Sequence, residues 1–64
     1  MRKLLQIDFE AYVTYFIDEE EKGIREYEKF LRLIENDSYY HRLSFIIKNI
    51  IADEKLHLKA LKRL

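Results

Sequence analysis

Two long stretches of this chain repeat apolar residues at alternating steps of three and four. In the second stretch, Tyr40, Leu43, Ile47, Ile50, Glu54, His57, Leu61 and Leu64 form one line, and six of the eight are aliphatic or aromatic. In the first, Phe9, Val13, Phe16, Glu20, Gly23, Tyr27, Phe30 and Ile34 keep the same rhythm. That spacing marks one face of an α-helix. Tyr12, Ile17, Ile24 and Leu31 widen the first face beyond a strict coiled-coil stripe, as a helix in a bundle requires. The pattern predicts one helix over about 8–35, a turn at 36–38 and a second helix over about 39–64. Asp8 is a suitable N-cap, and Asn36-Asp37-Ser38 combines turn and capping chemistry. The acidic run Asp18-Glu19-Glu20-Glu21 admits a competing reading, a loop followed by a shorter helix from Asp18. The apolar line crosses that run without a change of phase, which favours one continuous helix. Residues 1–7 either extend the first helix or lie as an arm over the bundle.

Folding the two helices back on each other sets their register. Glu20 lies 17 residues before Asp37 and Glu54 lies 17 after it. At about 1.5 Å of rise per residue, both sit roughly 25 Å from the turn. Antiparallel packing therefore brings Glu20 level with Glu54, with His57 one turn away. The expected fold is all-α: an antiparallel two-helix hairpin, one domain over 1–64. Such a hairpin leaves its inner face open. Two copies related by a twofold axis would close it into a four-helix bundle, making the protein at least a homodimer.

Composition agrees with this picture. There is no proline and one glycine, while helix formers are abundant. A chain of 64 residues without cysteine has no disulfide to support a small core, which leaves metal, self-association or an unusually apolar packed interior to do so. The hydrophobic share of 48% is more than a hairpin can cover, which also suggests a second copy. Twelve acidic and twelve basic residues balance, and nothing marks a nucleic-acid binder. The basic group Lys55, Lys59, Lys62 and Arg63 suits a helix C-terminus. Leu4-Leu5 and Tyr15-Phe16-Ile17 are too short to span a membrane and have charged flanks. No membrane partner is expected, and the lack of cysteine fits a reducing, cytoplasmic setting.

The chemistry lies in three residues on the apolar lines. Glu20, Glu54 and His57 are the candidate metal ligands and the candidate catalytic residues. A carboxylate seldom occupies a core seam without a charged partner or a metal. Glu54 and His57 form a Glu-x-x-His unit, whose members share a helix face. Two copies would supply four glutamates and two histidines, and two divalent cations would balance the four carboxylates. The competing structural reading pairs the glutamates with lysine or arginine at the rim and makes His57 a core histidine. Glu19, Glu21, Glu26 and Glu28 are assigned to the flank or surface by helical phase. Asp53 either reaches a histidine ring nitrogen across the helix interface or forms a salt bridge. Tyr27 needs a partner for its hydroxyl, either a ligand carboxylate or solvent. Gly23 either leaves room beside a metal pair, lets helices approach, or marks a mild kink.

With these residues in view, the chain resembles the ferritin-like di-iron carboxylate group, in particular half-length bacterioferritin- or rubrerythrin-type helices. The resemblance rests on Glu20-Glu21-Lys22-Gly23-Ile24-Arg25-Glu26-Tyr27 and Asp53-Glu54-Lys55-Leu56-His57, and it covers roughly 9–64. It implies terminal ligation by Glu20 and His57, bridging by Glu54, and supporting roles for Asp53 and Tyr27. It further implies two iron ions per dimer, with manganese or zinc as alternatives, and oxidation of Fe(II) by dioxygen or peroxide. The family usually takes four helices from one chain, and alanine is commoner where Gly23 stands. Nothing here specifies a storage shell, and no cysteine is present for a second iron centre. Two other functions fit the residues: a non-catalytic homodimer stabilised by zinc or manganese, and a plain helical interaction module.

Overall fold

The computed structural model describes residues 6–64, with side chains from Asp8 onward. Helix α1 runs Gln6–Ile34 and helix α2 runs His41–Leu61, packed against each other as a hairpin. The hairpin is a thin rod of 53 × 19 × 14 Å. Gln6 and Ile7 already belong to α1, so the helix starts before its expected cap. The expectation for residues 1–5 falls outside the described residues. α1 passes through Asp18–Glu21 unbroken, which excludes the loop reading of the acidic run.

The turn lies where the sequence places it, but α2 begins later than expected. Asp37 has extended backbone, and its carboxylate accepts a hydrogen bond from the Tyr39 N–H at 2.9 Å. That bond starts a single 3₁₀ turn, Ser38–Tyr40, and the α-helix follows from His41. At the other end Lys62 still donates to the Leu58 carbonyl four residues back, while Arg63 and Leu64 close tighter turns onto Ala60 and Leu61. No helix among the described residues is long and apolar enough to cross a membrane.

The interior is small. Ile24, Ile47 and Ile51 form its centre, with Tyr27, Leu31, Leu43, Ile50 and Leu58 packed around them. Ile34 is buried separately near the turn. The face of α1 that closes against α2 runs through Val13, Ile17, Glu20, Ile24, Tyr27, Leu31 and Ile34, all buried or half-buried. The expected line through Phe16 and Phe30 is therefore corrected: both are exposed, at 48% and 40%. Two adjacent apolar stripes run along α1, and a single partner helix can cover only one. Two ion pairs join the helices along one flank, Glu21 to Lys62 at 3.2 Å and Glu28 to Lys55 at 3.5 Å.

The surface accounting leaves much uncovered. The chain exposes 5531 Å², whereas a compact monomer of its mass exposes about 4400 Å². Phe9, Tyr12, Tyr15, Phe16 and Phe30 on α1, and Phe45, Ile46 and Leu56 on α2, are all exposed.

Candidate metal centre

Glu20 reaches the helix interface from the middle of α1, four residues before buried Ile24 on the same face. Glu54 and His57 come from the C-terminal half of α2, three residues beyond buried Ile51. The isoleucine core therefore fixes the height at which the three side chains meet. One ligand atom from each of Glu20, Glu54 and His57 lies within 4.8 Å of the other two. The juxtaposition read from equal distances to Asp37 is present in a single copy.

His57 Nδ1 and Glu54 Oε1 are 3.0 Å apart, within one turn of α2. Both glutamates are half-buried, and the histidine ring is exposed. Glu20 holds its proton above the ordinary carboxylate value of 4.5, first because it shares a hydrogen bond with Glu54. Partial burial and the negative charge of Glu54 push in the same direction, and His57 opposes them. Glu20 Oε1 is buried with no hydrogen-bond partner. A buried acceptor left unpaired costs free energy, and two carboxylates pressed together cost more. No lysine or arginine bridges Glu20 or Glu54 among the described residues, so the rim ion-pair alternative is not realised.

A cation answers each of these strains. Metal–oxygen and metal–nitrogen bonds of about 2.0–2.2 Å place opposite ligands roughly 4 Å apart. Small side-chain rotations would draw the three donor atoms to that spacing. The oxygen and imidazole donors suit iron, manganese or zinc. The residues present therefore fit a divalent metal.

The supporting residues are placed less closely. Asp53 is exposed and makes neither a salt bridge nor a hydrogen bond to a histidine within the hairpin. Tyr27 packs half-buried on the isoleucine core without a hydrogen bond to the cluster carboxylates. Gly23 has open space around it: a Cβ added there would meet nothing within 4 Å. Packing within one hairpin does not require glycine at that position.

Two features were missed in the residue pattern. Helical phase sets Glu21 and Glu28 on the flank, but does not by itself show that they pair there with Lys62 and Lys55 across the helices. The signal was available, because the acids and the lysines are each one heptad apart. Ser44 is buried near the turn, and its hydroxyl finds no partner. Nothing in the spacing distinguished it. Comparison with protein families, characterised proteins and solved structures gives no match.

Proposed function

We propose that this chain is a half-length di-metal carboxylate protein of ferritin-like type, whose working form is a homodimer holding two iron ions between its copies. The carrying observation is the convergence of Glu20, Glu54 and His57, with Glu20 partly buried, crowded by a second carboxylate and holding one orphaned oxygen. Four glutamates and two histidines from two copies would hold the pair, and four carboxylate charges would balance two divalent cations. The excess exposed surface, about 1100 Å² per copy, exceeds the roughly 800 Å² that each partner gives to a standard interface.

Iron held there would supply electrons for reduction of dioxygen or peroxide, with Fe(II) as the substrate that is oxidised. The chain's own part is to bind and to manage charge. Glu20, whose proton affinity is raised, would have to give up its proton to hold a metal. Glu54 would serve as a shared carboxylate ligand. The imidazole of His57 stays hydrogen-bonded through Nδ1 to Glu54, which leaves Nε2 as its donor.

Metal analysis of protein purified without added metal, with its mass in solution, tests the binding reading. Two ions per dimer are expected, and Glu54→Ala should abolish paired binding. Aerobic addition of Fe(II) to the apo-protein should consume oxygen and give the absorbance of bridged ferric iron. Bound metal without turnover would instead make the protein a metal-stabilised dimer. A monomer whose melting point ignores chelators would reduce it to a helical interaction module.

A further inference from the structure

All three donors of the cluster come from one chain. Glu20 is contributed by α1, and Glu54 and His57 by α2, with their ligand atoms within 4.8 Å of one another before any second copy is added. The isoleucine centre, Ile24 with Ile47 and Ile51, fixes the level at which the two helices meet. Residues next to the donors add to that hold. Glu21 pairs with Lys62 at 3.2 Å and Lys55 with Glu28 at 3.5 Å, each across the hairpin. Three protein donors, with water completing the shell, are enough for a divalent cation. One copy therefore has both the donors and the register for an ion of its own.

The same copy has a need for one. Its centre is three isoleucines, and the chain has no cysteine to tie the helices together. Glu20 and Glu54 are 34 residues apart in sequence, so an ion gripped by both would close a loop that contains the turn and all three isoleucines. A cross-link of that span stabilises largely by limiting the unfolded chain, and ligands that converge only in the folded chain couple binding to folding. The ion would also give the buried Oε1 of Glu20 the partner it lacks.

We propose that a single hairpin binds one divalent cation through Glu20, Glu54 and His57, and that this ion staples α1 to α2 before two copies pair. The inference rests on the metal reading given above but not on the dimer. It also sets an order. Two empty copies would bring four carboxylates together, and like charges oppose association. Two loaded copies would each bring two carboxylates already balanced by a cation. Loading therefore precedes pairing. Glu54 and His57, three residues apart on α2, would hold a cation without joining the helices, so Glu20 is the residue that makes the ion a staple.

Zn(II), which has no redox chemistry of its own, is the probe. Metal-free protein is titrated at successive dilutions, and sedimentation finds the concentration at which the loaded protein is monomeric. There, one ion per chain should bind, with an affinity that no longer changes on further dilution. Zn(II) at about a hundred times its dissociation constant should raise the melting temperature by about 10 °C or more. Glu20→Gln should lose that rise even where some Zn(II) still binds, and Glu19→Gln, at an exposed neighbour, should keep it. Chelated protein should need at least about tenfold more chain than loaded protein to pair. Zn(II) that binds only to dimers, with an affinity that keeps falling on dilution, overturns the single-copy site and leaves a shared centre standing. A Glu20→Gln monomer that Zn(II) stabilises as much as the native chain overturns the staple. Chelated protein that pairs as tightly as loaded protein overturns the order. Absence of Zn(II) binding at every concentration overturns both this inference and the metal reading beneath it. One ion per chain in a protein that never pairs supports the staple and overturns the shared centre.

Discussion

At Glu20, acid and the proposed metal would compete for the same site. Its proton affinity in the folded chain is raised above the ordinary carboxylate value of 4.5 by a hydrogen bond with Glu54, by burial and by the repulsion of Glu54. A carboxylate with a raised folded pKa contributes no penalty below its unfolded pKa and the full penalty above its folded one. Stability of the apo-protein from this group therefore increases as pH falls from neutral toward 4.5. Circular dichroism melts of metal-free protein should show that rise, and Glu20→Gln should flatten it. Metal affinity should move the other way, weakening with acid because Glu20 must lose its proton to bind. Ser44 offers a simpler case. Its buried hydroxyl has no partner, so Ser44→Ala should stabilise the fold by about 1 kcal/mol in urea denaturation.

Among the elements, α1 carries the largest difference between sequence and structure. Both helices, their turn and the meeting of Glu20 with Glu54 and His57 were legible, because helical period and equal offsets from Asp37 determine them. Which apolar stripe of α1 would close against α2 was not. Phe9, Phe16 and Phe30 are as apolar as Ile17, Ile24 and Leu31, and only the single partner helix selects between them. The helix ends were also illegible, since the 3₁₀ turn depends on the Asp37 side chain rather than on hydrophobic phase. Gly23 offers a test of the proposed dimer. In one copy a methyl there meets open space, so Gly23→Ala should stabilise α1 by up to about 1 kcal/mol. In the proposed dimer the same methyl, one turn from Glu20, would face the second copy. Helicity at low concentration should rise, and the dimer dissociation constant measured by sedimentation should rise with it. The ion pairs Glu21–Lys62 and Glu28–Lys55 are exposed enough that breaking one should change stability by less than about 1 kcal/mol. Their value is in register, since a slide of one turn would separate Glu20 from Glu54 by about 5.4 Å.

For the molecule as a whole, stability, assembly and metal loading should rise and fall together. At free metal one hundred times its dissociation constant, binding stabilises the loaded form by about 2.7 kcal/mol. For a domain this small that is about 10–20 °C in melting temperature, and a chelator titration followed by circular dichroism should recover it. The melting temperature should also climb with protein concentration, which a lone folded hairpin would not show. Three isoleucines at the centre of a rod give a newly made copy little reason to stay folded by itself. In the proposed dimer, a copy that has not met its twin would be the form that proteases reach. Where most chains are single, the supply of paired centres would grow with up to the square of the amount of chain, so a twofold change in synthesis would change it by up to about fourfold.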